Sequence, residues 1–413
     1  MLARWHRTPL YVRIVGALAL GALTGLLLGR SAASLAIPAQ LILRVLGALA
    51  PPLILAAIVH TLLNTEIRGR LAGRLAGLLL LNTLVAIFIG LVVANLVRPG
   101  QWSRLEPPPA AGKSAAPTDV LSQFLDNVPR SLLGPLTDNG KVLGVIFIAL
   151  AVGIALRGHR DRPVRTVGDL VEVAFSSLVA ILHWVIDLVP LGVFGIVASI
   201  VGTKGFADFR ALGVFVLAVI LALLLQAVYY LVRIRLGSWV RPLDLIRGTR
   251  DAVVMAFSTA SSTATMPVTY ACLRERVGLR ERSASMGALV GANFNNDGTA
   301  LYEAMSALFI SQMLGQNLGI GEQLIVVVMS VVASVGAAGI PEAGLVTMTL
   351  VFQAVRLPVE YIPLLLTVDW FLDRCRTAVN VMGDMNVSCL LDGRVRERAE
   401  GARELEDPEI ASV

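Results

Sequence analysis

The chain has 413 residues, of which 56% are hydrophobic and only 15% carry a charge. This composition excludes an ordinary soluble globular protein, and the length allows eight or more membrane spans of roughly 20 residues each. The net charge of +6 comes mostly from Arg in short connections, so it indicates membrane topology and not a nucleic-acid partner. Cys272, Cys375 and Cys389 have no CxxC spacing and are odd in number, so we predict neither a disulfide framework nor a metal site at these residues.

Ten apolar segments follow one another along the chain. They lie at about 10–29, 38–64, 71–97, 141–157, 170–202, 208–234, 251–272, 283–313, 320–352 and 360–391. The first is long for the core of a signal peptide, so we interpret it as the first membrane helix. Arg-rich connections mark the cytoplasmic side, and both chain ends carry such basic sequence. Both termini are therefore predicted to be cytoplasmic.

Two of the segments are interrupted in a way that a simple membrane span is not. Segment 251–272 has an Arg-rich connection on both sides, and a Ser/Thr run and Pro267 break it. Because a spanning helix must change sides, this segment is predicted to be a re-entrant hairpin that enters and leaves from the cytoplasm. Gly and Pro interrupt segment 320–352 in the same manner. Two broken segments, each followed by a full span, indicate an inverted repeat with a substrate site near the bilayer midplane.

Between the two hairpins runs the sequence GANFNNDGTALYEA, which contains the poor helix formers Asn293, Asn295, Asn296, Asp297 and Gly298. An unwound turn there would expose backbone carbonyls beside a carboxylate. Hard cations such as sodium bind to oxygen-rich sites of this kind. The alternative is an exposed loop between two shorter spans.

The last apolar segment carries polar residues on one helical face. The sequence VDWFLDRCRTAVNVMGD has spacings of four, three, four and four between Asp369, Asp373, Arg376 (or Thr377), Asn380 and Asp384. Charged groups at membrane depth are usually paired, line a cavity, or bind substrate and ions. The alternative is a structural Asp–Arg pair that locks two helices, but such a lock needs one acid and this face has three.

The count of charges indicates coupling to cations. The candidate site has two bases, Arg374 and Arg376, against five acids, which are Asp297, Glu303, Asp369, Asp373 and Asp384. Three negative charges are therefore uncompensated, and Glu342 in the second hairpin would make four. Buried unpaired carboxylates cost several kcal/mol each, so bound cations or protons must supply the balance.

Four motifs occur in order along the chain: FSTASSTATMPVT, NNDGTALYEA, SVGAAGIPEAG and DWFLDRCRTAVNVMGD. They resemble the first hairpin tip, the Asn-Met-Asp-Gly-Thr signature, the second hairpin and the last helix of the glutamate transporter family, the dicarboxylate/amino acid:cation symporters. The resemblance is strongest over about 245–391. It implies an all-α polytopic membrane protein with eight transmembrane helices plus two re-entrant helical hairpins and inverted repeats.

The resemblance also implies two structural parts in a homotrimer. A scaffold would comprise 1–70 and 99–204, with helices 1, 2, 4 and 5. A transport part would comprise helix 3 at 71–98 and a core at 205–395, with helices 6, 7 and 8 and both hairpins, before a cytoplasmic tail at 396–413. The transport part would cross the membrane as a unit, in an elevator-like alternating-access movement.

Individual roles follow from the same resemblance. Arg376 resembles the arginine that holds the side-chain carboxylate of the substrate, and Asp373 resembles the acid that takes its ammonium group. The other predicted substrate ligands are Ser261, Ser262, Thr299, Thr377 and Asn380. The predicted sodium ligands are Asp384, Asn380, Asn295 and Asp297, with further cation-binding positions at Thr83 and the backbone carbonyls of Ser334 and Val335.

Three departures from the family pattern leave the coupling ion open between sodium and protons. Leu79 and Asn82 replace a Tyr and a Thr associated with a buried sodium site, and Asn296 replaces the Met of the signature. An incomplete cage of oxygen ligands binds sodium weakly. Glu303 and Glu342 are candidate proton carriers, because apolar surroundings favour the protonated form of a carboxyl group.

The sequence therefore predicts a secondary active symporter that takes up aspartate or glutamate with cations. No GxSxG or HExxH motif occurs, so we predict no enzymatic activity and no catalytic residues. We expect no cofactor, although a sodium ion is possible as a co-transported ligand. The alternatives are a C4-dicarboxylate:proton symporter of the same fold and an anion-conducting channel. We expect a homotrimer surrounded by membrane lipid, with no nucleic-acid partner, in the bacterial inner membrane.

Overall fold

A computed structural model describes residues 10–36, 70–103, 166–171, 207–336 and 343–395, together with scattered positions between 38 and 202. Several predicted features lie outside the described residues. These are the segments at 38–64 and 141–157, most of 170–202, Glu342 in the second hairpin, and the tail at 396–413. The described residues cover most of the predicted transport part.

The secondary-structure elements of the described residues are all helical. In chain order they are α1 (Leu10–Leu28), α2 (Arg70–Val97), α3 (Ala207–Gly237), α4 (Pro242–Thr259), α5 (Ser262–Ala271), α6 (Glu281–Ser285), α7 (Gly291–Phe294), α8 (Asp297–Met313), α9 (Ile320–Gly336), α10 (Ala343–Ala354) and α11 (Ile362–Asp392). Short 3₁₀ turns lie at Gly29–Ala36, Pro99–Trp102 and Val359–Tyr361, and π-helical turns lie at Cys272–Val277 and Met286–Val290.

Two of the described helices are long and apolar enough to cross a membrane. They are Gly73–Trp102, which contains most of α2, and Arg210–Gly237, which contains most of α3. Both expose Leu side chains on their outer faces, including Leu96 at 78% and Leu217 at 68%. The 31 residues of α11 span about 46 Å, so this helix is also long enough, but it carries the charged face.

A sharp break separates α4 from α5. Ala260 has φ 52 and ψ 31, a left-handed conformation that ends α4. The side chain of Ser261 then accepts a hydrogen bond from the Ala264 backbone N–H at 3.1 Å and caps the start of α5. The two helices pack against each other. The predicted interruption of segment 251–272 by its Ser/Thr run is therefore present in the structure.

The second broken segment has the same organisation. The helices α9 and α10 pack against each other, and the turn between them lies outside the described residues. Both helices also contact α8. The side from which each helix pair enters the membrane stays a prediction.

The turn between α7 and α8 is unwound, as predicted. Asn295 has φ −100 and ψ 79, and Asn296 has φ −107 and ψ 48, so neither continues the helix. The two side chains are buried, at 0% and 3% exposure. The alternative of an exposed loop is therefore wrong.

The helix α8 lies at the centre of the described residues. It packs against α2, α3, α9, α10 and α11, and nearly every residue from Asp297 to Met313 is buried. The first residues of α8, directly after the unwound turn, face the polar stripe of α11, where the Gly298 N–H donates to Asn380 Oδ1. Gly298 brings the two backbones together, since a Cβ there would lie 2.8 Å from the Arg376 carbonyl oxygen.

Candidate substrate and cation site

The polar stripe of α11 faces the interior of the described core. Its side chains are at most 6% exposed, and they belong to Asp369, Asp373, Arg376, Thr377, Asn380 and Asp384. The predicted single face is therefore confirmed. Its residues fall into an Arg-centred half and an Asn-centred half.

The Arg-centred half is an ion cluster on α11 itself. Arg376 Nη2 donates to Asp373 Oδ1 at 2.7 Å, and Arg376 Nη1 lies 3.0 Å from Asp369 Oδ1 in a close ion pair without hydrogen-bond geometry. The guanidinium carbon lies 4.0 Å from the centroid of the Tyr302 ring, a cation–π contact. Asp369, Asp373 and Arg376 all belong to α11, so their ion pairs do not lock two helices together.

The guanidinium of Arg376 has donors to spare. Among the described residues, Arg376 Nε has no hydrogen-bond partner, although the side chain is fully buried. A buried charged donor without a partner is expensive, so this atom marks a position for an acceptor from a ligand. A Cβ at Gly344 of α10 would lie 3.5 Å from Arg376 Nη1, so the second helix pair covers this end of the site.

Glu303 lies beside the Arg-centred half and is fully buried in α8. The Thr347 hydroxyl of α10 donates a short hydrogen bond to Glu303 Oε1. Among the described residues, Glu303 Oε2 has no hydrogen-bond partner. A neutral carboxyl is far less costly to bury in this way than a carboxylate. Glu342, the other candidate proton carrier, lies outside the described residues.

The Asn-centred half joins α11 to the unwound turn. Asn380 Oδ1 accepts from the Gly298 N–H at 2.7 Å, and Asn380 Nδ2 lies 3.4 Å from Thr299 Oγ1 as a hydrogen-bond donor. Asn295 Nδ2 donates to the Asn380 carbonyl at 3.0 Å and to Asp384 Oδ1 at 3.1 Å. Within the described part of the chain, Asn295 Oδ1 has no partner. The Asn295 oxygen and the Asp384 carboxylate are thus suitable ligands for a cation.

The second helix pair closes the other side of the turn. Asn296 Nδ2 donates to the Ser334 carbonyl at 3.1 Å, which brings this predicted cation-binding position next to α8. Val335 is half-buried at the end of α9. Thr377 lies on the stripe, but its hydroxyl donates to the Asp373 carbonyl at 2.8 Å within the helix.

The first helix pair contacts the site through its capped break. Ser262 Oγ donates to the Ala292 carbonyl of α7 at 3.0 Å, while Ser261 caps α5. Arg374 reaches the end of α4, where Nη1 donates to the Phe257 carbonyl at 3.0 Å and to the Ser258 carbonyl. The guanidinium of Arg374 therefore compensates backbone carbonyls at the break rather than an acid.

Sequence reasoning missed a polar face of α3. Gln226 and Arg233 donate to Asn82 of α2, and Tyr230 of the same helix reaches the first residue of α8. The Tyr230 hydroxyl donates a short hydrogen bond to Asp297 Oδ2, and the Thr83 hydroxyl of α2 donates to Asp297 Oδ1 at 2.7 Å. The spacing of four and three along α3 was the available signal.

Glycines give α11 its close approach to the segment 287–298. A Cβ at Gly287 would lie 2.7 Å from the Ser388 backbone nitrogen, and one at Gly291 would lie 2.5 Å from Asp384 Oδ1. With Gly298, these positions form a seam on 287–298 in which a Cβ would collide with α11, with its backbone at Gly287 and Gly298 and with the Asp384 side chain at Gly291. We call it the glycine seam. It runs from the cation ligands to the Arg376 backbone.

Paired charges buried among long apolar helices, next to an unwound turn and helix breaks, are the arrangement of a helical membrane transport protein. The comparison with known families makes this specific. Residues 10–394 match the sodium:dicarboxylate symporter family, and the chain belongs to this family. It is therefore an integral membrane transporter and not an enzyme, and the predicted family is confirmed.

Animal proteins are among its relatives. The chain is 32% identical to excitatory amino acid transporter 4 of Mus musculus over 430 aligned positions, which cover 84% of this chain and 75% of the relative. It is 30% identical over 416 positions to excitatory amino acid transporter 1 of Ambystoma tigrinum, covering 84% and 75%. It is also 30% identical over 416 positions to the putative sodium-dependent excitatory amino acid transporter glt-4 of Caenorhabditis elegans, covering 86% and 82%.

Proposed function

We propose that this transporter is a symporter that takes up an acidic amino acid, aspartate or glutamate, together with cations. The observation that carries the proposal is the buried pair of Asp373 and Arg376, 2.7 Å apart, with Arg376 Nε unpartnered among the described residues. One acid and one base side by side fit a ligand that has both an ammonium group and a carboxylate. The names of the relatives, excitatory amino acid transporters, support the same substrate class.

Substrate binding would exchange partners within this cluster. The side-chain carboxylate would take donors of Arg376, and the ammonium group would take the Asp373 carboxylate. The rest of the amino acid would bind to the remaining polar groups, which are Ser262, Thr299, Thr377 and Asn380. Ser261 would contribute through its backbone and its cap of α5. A plain dicarboxylate would leave Asp373 buried without an ammonium partner, which costs several kcal/mol.

The cations would bind in the Asn-centred half and at Glu303. Asp384 with the Asn295 oxygen and Asn380 would hold sodium, and the Ser334 and Val335 carbonyls would close a position below the second hairpin. Glu303 would carry a proton. Sodium in the name of the matched family and in that of glt-4 supports a sodium component.

We further propose the elevator-like mechanism and the two-part architecture for this chain. The helix pairs α4–α5 and α9–α10 would be the two re-entrant hairpins. They would open and close over the substrate while the transport part moves against a trimeric scaffold in the lipid bilayer. Single cysteines placed in 236–247 and in 274–282 test the first hairpin, since both must react with an impermeant reagent from the cytoplasmic side only.

The experiment that tests the substrate class is uptake of labelled aspartate into proteoliposomes under imposed sodium and proton gradients. Arg376→Lys keeps the charge but removes the planar fork, so it should weaken aspartate binding about 30–100-fold through the loss of one charge-assisted hydrogen bond. Arg374→Lys on the same helix is the matched control and should change affinity little. Tighter binding of succinate than of L-aspartate to the purified protein would show a dicarboxylate carrier instead.

A further inference from the structure

Asp297 lies in a polar cluster that adjoins the Asn295–Asp384 pocket, and Gly383 of α11 lies next to both. We call it the α3 cluster; its members are Asn82, Thr83, Gln226, Tyr230, Arg233, Asp297 and Asn386. Except for Arg233, which is half-buried, all are at most 4% exposed. The cluster joins α2, α3, α8 and α11, and it carries one acid and one base.

The oxygens of Asp297 and Asn82 already have donors, whereas Gln226 Oε1 has no hydrogen-bond partner among the described residues. Both carboxylate oxygens of Asp297 accept hydrogen bonds, from the Thr83 hydroxyl at 2.7 Å and from the Tyr230 hydroxyl. The side-chain oxygen of Asn82 accepts from Arg233 Nη1, and its backbone carbonyl accepts from Gln226 Nε2 at 3.3 Å.

The rest of the cluster holds this arrangement in position. Asn82 Nδ2 donates to Asn386 Oδ1 at 3.4 Å, and Asn386 Nδ2 donates to the Tyr230 carbonyl at 3.0 Å. Leu79, one turn before Asn82 and Thr83, offers no side-chain oxygen. The Asn295 oxygen in the neighbouring pocket also has no partner among the described residues. The two places differ because the α3 cluster contains a base, Arg233, which donates to the side-chain oxygen of Asn82.

We propose that Arg233 replaces a bound sodium ion in the α3 cluster. The Arg233 guanidinium, held by Asn82, would compensate the negative charge of Asp297. No sodium ion would then enter this cluster. The predicted sodium ligand Asp297 then holds the helices together, and sodium binds at Asp384 and Asn295. This inference rests on the proposed function and deepens it, since it removes one of the predicted sodium positions.

The test is the steepness of the sodium dependence, measured first without any amino acid. Thermal unfolding is followed at increasing NaCl, with choline chloride holding the ionic strength constant. Each sodium ion that binds only to the folded protein adds one power of sodium concentration to the equilibrium constant between folded and unfolded protein. Arg233→Gln leaves Asp297 without its base, so the folding equilibrium of this variant should depend on one more power of sodium concentration than that of the wild type. Arg233→Lys and the exposed Arg235→Gln on the same helix should match the wild type.

Asp297→Asn provides an independent arm if Arg233→Gln does not fold. An unchanged sodium dependence in Asp297→Asn, and in the double variant Arg233→Gln/Asp297→Asn, supports the proposal. If Asp297→Asn depends on one power of sodium concentration less than the wild type, Asp297 is a sodium ligand and the proposal is overturned. A folded Arg233→Gln variant with the sodium dependence of the wild type overturns it as well.

The same variants are then compared in aspartate binding. In Arg233→Gln, a tenfold increase in sodium should lower the apparent Kd for aspartate about tenfold more than in the wild type. A protein that binds no aspartate at all would contradict the proposed substrate but would leave the sodium result from unfolding intact.

Discussion

Gly383 lies where α11 meets the cation ligands, and Gly383→Ala is the sharpest single perturbation of this region. A Cβ there would overlap Asn295 Nδ2 and would lie 2.9 Å from the Tyr230 hydroxyl oxygen and 3.1 Å from Asp297 Oδ2. The residue is buried inside a long helix, so the backbone of α11 cannot move away without disturbing the whole stripe. The Asn295 side chain must therefore turn aside.

The magnitude follows from the hydrogen bonds that Asn295 would lose. Its bond to the Asn380 carbonyl contributes about 1 kcal/mol, and its bond to the Asp384 carboxylate contributes about 2 kcal/mol. The gain in helix propensity from Gly to Ala is about 1 kcal/mol in the opposite direction. Gly383→Ala should therefore lower the free energy of unfolding by about 2 kcal/mol. It should also weaken sodium binding, because Asn295 is a proposed ligand.

The assay is thermal unfolding of the purified protein in detergent, with and without sodium. Gly213→Ala is the matched control, since a Cβ there meets no atom within 4 Å in the described structure, and this variant should gain stability through helix propensity alone. Stability and sodium binding unchanged or improved in Gly383→Ala would refute the argument that Asn295 is held between α11 and the turn.

Three other substitutions test separate parts of the molecule. Glu303→Gln should remove most of the dependence of aspartate uptake on pH between about 5 and 8, because an amide cannot carry the proton that a buried carboxyl can. Ala260→Gly should raise the free energy of unfolding by up to about 1 kcal/mol, since φ 52 is strained for Ala; melting curves measure this. Asp392→Asn should lower it by about 1–2 kcal/mol, because Asp392 accepts from Arg280 Nε at 3.0 Å and from Trp239 Nε1 at 2.7 Å.

Each of these has a control in the same chain. A pH profile of uptake identical to that of the wild type would eliminate Glu303 as the proton carrier. Ala252→Gly, inside α4, should destabilise where Ala260→Gly stabilises, and equal effects would contradict the strain argument. Asp251→Asn removes a half-exposed pair with Arg276 and should leave the melting temperature nearly unchanged, whereas Asp392→Asn should not.

The elements that could be predicted from sequence are those whose signal is local. The stripe from Asp369 to Asp384 follows from helical periodicity alone, because a single helix fixes which residues share a face. The unwound turn at Asn295 and Asn296 follows from residues that do not support a helix in an apolar setting. The break at Ala260 was indicated by the Ser/Thr run, although the left-handed residue itself is an Ala and gave no signal.

The parts that could not be predicted depend on how distant helices meet. Arg233 lies 64 positions before Asp297, at the end of an apolar helix where a basic residue also suits a membrane surface. Only the packing of α3 against α2 and α11 brings it to Asn82. Likewise, charge counting assigned Arg374 to the acids of the site, whereas the folded chain directs it to the carbonyls at the end of α4.

The glycine seam has a consequence for changing what this carrier accepts. A new side chain on the seam has no room against α11, so that wall of the site cannot be reshaped by substitution without separating the two elements. Freedom to alter selectivity is left to the walls built from the two helix pairs, at Ser262 and Thr347. A library aimed at a longer or neutral substrate is best confined to those walls, because variants along the seam will be lost to instability before their selectivity can be measured.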